Sequence, residues 1–147
     1  MTEATLEIGT VMKDGTIFAG LTADGKQQIY AMPKDLNRTV TFNDAEKAVE
    51  ELNADKVLGH DDWQIPDLDS LHVLRKNQNE GKLKDTFKTV ASRGVDSPDW
   101  YWSSMQDHDD PSVADTARFS DGLENWHGKN TSRVSCRPVR LVACKAP

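Results

Sequence analysis

The hydrophobic period of this chain changes twice, and this change constrains the fold more than any other feature of the sequence. Short apolar segments separated by turn residues fill about the first forty positions, two segments with helical spacing follow, and short apolar segments return from Trp100 onward. A period of two residues indicates strands, and a period near 3.6 indicates helices. Because no linker or internal repeat separates these parts, the order predicts one α+β domain over residues 1–147.

Asp-Gly turns mark the first strands. Asp14-Gly15 and Asp24-Gly25 each separate β-forming segments, which is a strong hairpin signal. The pattern predicts a small meander of three strands, near residues 8–12, 16–21 and 28–32. Gly15, Gly20 and Gly25 are then expected in hairpin turns, and none of them lies in the strand-to-helix loop that cradles a phosphate.

Two short amphipathic helices follow. In the first, apolar residues recur at helical spacing from Ala45 to Leu52, with Asn43 as the predicted N-cap and Glu46 as its capping-box partner. The second is predicted to begin after Pro66 with Asp67 as N-cap. Its inward-facing residues are expected to be Leu68, Leu71 and either Leu74 or Val73, with fraying by residues 77–81.

The last part of the chain returns to strands. Strands are predicted at 100–105, 114–120, 123–127 and 133–143. Asp121-Gly122 joins the second and third of these as a turn. Pro138 interrupts the last segment and shifts its alternation, as a bulge or an edge position would.

Composition excludes several classes of partner. The formal charge of −6 repels phosphate backbones, so a nucleic-acid partner is not expected. No segment approaches the roughly 18 apolar residues of a membrane-spanning helix, so membrane insertion is not expected either. The first residues are acidic and precede no apolar run, which is unlike a signal peptide and favours a cytoplasmic or virion-associated location.

Cys136 and Cys144 are expected to be free thiols, because eight positions along one extended segment separate them too far for a disulfide. Cys136 is in phase with Val134, so a buried structural thiol is favoured over a nucleophile paired with His127. The basic residues near the end alternate with apolar ones and are expected on the wet face of a strand. They are Arg133, Arg137, Arg140 and Lys145.

Four segments, taken in order and spacing, resemble the family named for the C-terminal domain of a bacterial collagen-like adhesin (Lcl). They are Gly59-His60-Asp61-Asp62-Trp63-Gln64-Ile65-Pro66, Tyr101-Trp102-Ser103-Ser104, Phe119-Ser120-Asp121-Gly122 and Val134-Ser135-Cys136-Arg137-Pro138-Val139-Arg140. The resemblance spans about residues 8–142 and implies a C-type-lectin-like fold with two short helices on mostly antiparallel strands. Trp63 and Trp102 are expected to be core anchors.

Chemistry beyond binding has little support in the sequence. The clusters His60-Asp61-Asp62 and Asp107-His108-Asp109-Asp110 carry groups that ligate divalent cations, but acids in loops are usually solvated turn residues. The triplets of the calcium-dependent lectins, Glu-Pro-Asn or Gln-Pro-Asp, are absent, so no metal and no cofactor are expected. The enzymes that generate formylglycine have a related fold, but the reactive cysteine pair on which they depend has no counterpart here, so catalysis is not expected.

The resemblance places the ligand surface in the late loops, 106–112 and 125–132, because loops on a rigid scaffold commonly carry recognition. The site residues that it implies are Asp107, His108, Asp110, Trp126, His127, Lys129 and Asn130. Trp126 is the main candidate, with a core position as the alternative. The chain is therefore predicted to be a non-enzymatic module that contacts a protein or a glycan. The alternative is a structural protein, such as a virion or surface-array subunit, that associates with copies of itself.

Overall fold

The computed structural model describes residues 6–36, 38–89, 96–106 and 109–144, with backbone only at 96–97. These residues form an α+β fold, as predicted. The elements are β1 (Ile17–Leu21), β2 (Gln27–Ala31), α1 (Phe42–Ala54), α2 (Leu68–Lys76), β3 (Asp96–Gln106), β4 (Val113–Arg118), β5 (Glu124–Gly128), β6 (Arg133–Ser135) and β7 (Val139–Ala143). The C-type-lectin-like topology stays a prediction. Within the described ranges, no helix is long and apolar enough to cross a membrane.

The strands form two sheets, one with the order β1-β2-β7 and the other with the order β5-β4-β3-β6. Neighbouring strands are antiparallel except β3 and β6, which are parallel. The prediction of one interrupted strand over 133–143 is wrong, because β6 and β7 belong to different sheets. Pro138 lies where the chain crosses between the sheets, a place where its missing N–H breaks no ladder hydrogen bond.

The predicted first strand, residues 8–12, is also absent as a strand, and only Val11 forms an isolated bridge to Ile17. Gly9 has φ +93° and accepts a hydrogen bond from the amide of Lys82 at 2.9 Å, so this segment is fastened to the turn after α2. Gly20 is likewise no turn residue. It lies at a bulge in β1 with φ +126°, where Val73 of α2 and Asn77, which caps the end of α2, approach closely.

The two helices were predicted in the right places, but the cap of α1 was wrong. Thr41, not Asn43, is the N-cap, and its hydroxyl accepts a hydrogen bond from the amide of Asp44 at 3.2 Å. The helix includes Phe42 because this side chain is buried against Trp102, at 5.4 Å between ring centroids. In α2 the prediction is confirmed, since the Asp67 carboxylate accepts a hydrogen bond from the amide of Ser70 at 2.7 Å.

The four-stranded sheet lies between two apolar clusters. Trp100 and Trp102 pack on one face, in the cluster that contains α1 residues and the buried Trp63. Tyr101 faces the other way, into the cluster that contains Leu71 and Leu74 of α2. Trp63 and Trp102 are 3% and 0% exposed, which confirms both as core anchors. Both faces of the sheet are therefore covered at β3, whereas the edge strand β5 carries exposed side chains.

Candidate ligand-binding surface

Two of the predicted site residues, Asp107 and His108, lie outside the described residues. Asp110 is exposed and closes a tight turn, since its carboxylate accepts hydrogen bonds from the Ser112 hydroxyl at 2.6 Å and from the Ser112 amide at 2.9 Å. These hydrogen bonds lower the pKa of Asp110, so the carboxylate is charged in ordinary buffers. One carboxylate oxygen of Asp110 therefore already accepts hydrogen bonds from within its own turn.

Trp126 and His127 lie on β5, which confirms the strand predicted at 123–127, so they do not belong to the late loop 125–132 in which the resemblance placed them. Paired to Asp115 and Ala114 respectively, they project from opposite faces of the sheet. Trp126 is 58% exposed, which rules out the alternative of a core position. His127 is half-buried, with Nδ1 2.8 Å from the Thr116 hydroxyl, and its burial lowers its pKa. The imidazole is a packing group on the inner face, and the indole faces solvent.

Lys129 and Asn130 lie beside the first turn of α1. The Phe42 amide donates to the Lys129 carbonyl at 3.0 Å, and the Lys129 ammonium lies 5.4 Å from the centroid of the Phe42 ring. The same ammonium donates to the side-chain oxygen of Gln106, while Asn130 bonds the side chain of Asn43. The predicted site residues thus divide into an outer group at Trp126 and a second group that meets α1.

A groove that the sequence did not predict opens next to this second group. It has a volume of about 280 Å³ and lies between α1, the segment after Trp63 and the end of β3. We call it the α1 groove. Its lining residues are Phe42, Glu46, Val49, Glu50, Trp63, Gln64, Ile65, Ser104 and Gln106. The only sequence signal was the pair Glu46 and Glu50, one turn apart on α1.

The cluster around His60 is occupied by partners within the chain. The His60 Nε2 atom lies 2.6 Å from Asp14, and Asp62 forms two hydrogen bonds with Arg140, at 2.5 and 3.1 Å. Burial raises the pKa of Asp14, but hydrogen bonds from His60 and Thr16 outweigh it and bring the pKa to about 2. His60 and Asp62 therefore join this loop to the turn before β1 and to β7, while the Asp62 side chain stays 48% exposed, as expected of an acid in a loop.

Arg137, expected on the wet face of a strand, is 0% exposed, so that expectation is wrong. Its guanidinium donates to Asp35 at 2.8 Å and lies 4.0 Å from the centroid of the Phe87 ring. Tyr101 donates its hydroxyl to the same carboxylate at 2.6 Å. Burial raises the pKa of Asp35, and the neighbouring Arg137 and Tyr101 oppose this rise. Because the centre is enclosed, it stabilises the fold and offers no surface to a ligand.

Cys136 is fully buried, as predicted, and burial raises the pKa of its thiol to about 12. The folded state therefore holds the proton more tightly than the unfolded chain, whose thiol has an ordinary pKa near 9. Stability from this difference is complete below pH 9 and is lost as the pH rises toward 12. We expect the midpoint difference between wild type and Cys136→Ala, measured by thermal melts, to shrink from pH 7 to pH 10.5.

Cys144→Ala is the matched control for this measurement, because Cys144 is only half-buried. The midpoint difference between wild type and this control should stay nearly constant over the same pH range. An equal pH response of both variants would contradict a specific contribution of the buried thiol.

Comparison with known proteins adds one result. The family model described as Lcl C-terminal domain matches residues 20–140, which cover most of the elements above from β1 to β7. No curated protein matches the chain. The matched range contains both groups of candidate site residues and the α1 groove.

Proposed function

Because the chain belongs to the Lcl C-terminal domain family, we propose that it is a non-enzymatic, adhesin-like module that binds a protein or a glycan. The family is an adhesin-like domain and not a known enzyme family. The proposed recognition surface is the outer edge of β5 with the turns beside it. We call it the β5 surface, and it comprises Leu123 and Trp126.

The exposed indole of Trp126 is the observation that carries this proposal. β5 is an edge strand of its sheet, and the face that carries Trp126 leaves this indole 58% exposed. Leu123, just before the strand, is also 52% exposed. Tryptophan is enriched among residues that dominate binding energies, because it combines a large apolar area with an N–H donor. Such a side chain left in solvent is typical of a contact surface.

The polar neighbours suit a rim around this aromatic group. Asp115 lies directly across from Trp126 and Glu124 lies two positions before it on the same face of the sheet, and each supplies a carboxylate. Interfaces commonly join an apolar centre to a polar, solvated rim. Both glycans and protein surfaces offer the hydroxyl and amide groups that such a rim can bind, so the ligand class stays protein or glycan.

Trp126→Ala should leave the thermal midpoint within a few degrees of wild type and weaken ligand binding by more than about 1 kcal/mol. The reason is that the indole contributes contact area to a ligand but little to the core. Ligands would be found on a glycan array and an adhesion panel of purified host matrix proteins. Affinities would then be measured by biolayer interferometry, with thermal melts on the same samples.

Leu21→Ala is the control for that substitution, because Leu21 is 46% exposed on β1, in the other sheet. Its binding should match wild type. A large fall in the midpoint of Trp126→Ala would assign the indole a structural role, and unchanged affinity would exclude the β5 surface as the site.

The edge of β5 also favours a second candidate function, that of an assembly subunit such as a virion or surface-array protein. Leu123 accepts from the Arg118 amide and Lys129 donates to the Ser112 carbonyl, so alternation along the ladder turns the backbone groups of Glu124 and Trp126 away from β4. In the described part of the chain, no strand pairs with that side. Such an edge can pair with a second copy.

Solution mass from light scattering, measured over a range of protein concentrations, separates the two candidate functions. A defined multimer that Trp126→Ala dissociates would favour assembly through β5. A monomer at every concentration would exclude it and leave the binding module.

A further inference from the structure

We propose that the α1 groove is a second binding site, separate from the β5 surface, and that it takes the cationic side chain of a lysine or arginine in an extended peptide. The argument rests on the shape of the groove, on its charges and on the position of one of the protein's own ammonium groups.

The shape of the groove limits the size of its ligand. Its volume is about 280 Å³, just below the roughly 300 Å³ at which cavities for whole small molecules begin. Phe42, Val49, Trp63 and Ile65 form an apolar floor, and each is less than one-tenth exposed. A long side chain with a methylene stem matches this floor, because lysine and arginine bury their stems along apolar surfaces and keep the charged end near polar groups.

The charges of the groove select a cation. Glu46 and Glu50 lie one turn apart on α1, both are exposed, and both line the groove. Among the residues that the structure describes, no ion pair neutralises either carboxylate. Like charges at this spacing on a helix repel each other, and a cation between them removes that repulsion. The net charge of −6 also attracts a cationic peptide from a distance.

One end of the groove already holds an ammonium group from the chain itself. Lys129 places its Nζ atom 5.4 Å from the centroid of the Phe42 ring and donates to Gln106, and both of these residues line the groove. The Phe42 ring and the side-chain oxygen of Gln106 therefore already bind a cation within this groove. Glu46 and Glu50 line the same groove, and no ion pair of the described chain engages either carboxylate, so a cation from a partner completes the pattern.

Other occupants fit less well. An anionic ligand would meet the two carboxylates, and a purely apolar ligand would bury them without a partner, which is costly. A neutral sugar would leave both charges uncompensated. Of these ligands, only a cationic side chain packs an apolar stem on the floor and also pairs with the carboxylates.

The test is a titration of the full 15N-labelled chain with acetyl-Leu-Lys-Leu-amide, followed by amide chemical shifts. We expect saturable shifts at groove residues such as Glu50, Gln64 and Gln106, with a Kd below about 5 mM. Glu50→Gln should weaken binding by roughly threefold to tenfold, since it removes one charge partner. Added salt should weaken wild-type binding as well.

Glu51→Gln is the matched control, because Glu51 is the next residue on α1, carries the same charge and does not line the groove. It should change the Kd by less than about twofold. The spectra also show that each variant is folded. Equal binding of acetyl-Leu-Glu-Leu-amide, equal weakening by Glu51→Gln, or shifts that avoid the groove would each overturn the proposal. Because Trp126→Ala leaves the groove intact, failure here says nothing about the β5 surface, and the reverse also holds.

Discussion

Replacement of Arg137 by methionine should lower the free energy of unfolding by about 3–5 kcal/mol, because it leaves the Asp35 carboxylate in the interior without its counter-ion. The guanidinium is fully buried and also donates to the carbonyl oxygens of Met32 and Thr86, at 3.1 and 2.5 Å. These carbonyl groups lose their donors as well. Urea denaturation of wild type and variant at pH 7 measures the loss.

Arg140→Met is the control for this substitution. Arg140 also forms an ion pair, with Asp62, but the aspartate side chain is 48% exposed, so water replaces the lost partner. We expect a loss of less than about 1 kcal/mol there. Losses of similar size at both arginines would contradict the special role of the buried pair.

The cost of Arg137→Met should also depend on pH in a known direction. Burial raises the pKa of Asp35, and Arg137 opposes this rise, so the variant has a still higher pKa at this carboxyl. The folded variant then binds a proton that the unfolded chain releases, and its stability falls as the pH rises above the unfolded pKa. The variant should therefore be closest to wild type in mildly acidic buffer. Asp35→Asn in the same chain should recover part of the loss, because a neutral amide needs no counter-ion.

Gly9→Ala should be the other severe substitution, with a loss of about 2–5 kcal/mol. Gly9 has φ +93°, and a Cβ atom there would overlap the Glu80 carbonyl oxygen and lie 2.6 Å from the Cα atom of Gly81. Backbone cannot move aside as the end of a side chain can. Chemical denaturation at fixed pH measures the effect.

Gly25→Ala separates the two causes of that loss. Gly25 has φ +73°, also in the left-handed region, but an added Cβ atom would meet nothing within 4 Å. Gly25→Ala should therefore lower the free energy of unfolding only through its backbone conformation, by about 1–2 kcal/mol. If both alanine variants lost the same stability, the close approach between Gly9 and Gly81 would add nothing to the loss in Gly9→Ala.

Local signals predicted the elements whose causes are local. The turn at Asp24-Gly25 predicted the hairpin of β1 and β2, and Asp67 predicted the start of α2. Both predictions hold because these residues act on backbone groups only a few positions away. The cap of α1 was missed for a different reason. The burial of Phe42 against Trp102, sixty residues later in the chain, decides where that helix begins.

Long-range packing decided the candidate sites. Trp126 and His127 are adjacent in sequence, yet the alternation of β5 sends one to solvent and the other toward Trp100. The α1 groove has no continuous sequence pattern, because its walls come from α1, from residues 63–65 and from the end of β3. The sequence pattern predicted a surface position for Arg137, but in the folded chain this side chain packs against Asp35, about a hundred positions earlier.

The sequence by itself determined the α+β class, the places of both helices, the anchoring role of Trp63 and Trp102, and the family. These follow from hydrophobic period, turn residues and short motifs, which act over a few residues. Only the tertiary structure decided that the last strand segment divides between two sheets, that Arg137 is buried and that an acidic groove lies beside α1. The physical reason is that burial and charge pairing depend on which distant residues meet, and no local pattern carries that information.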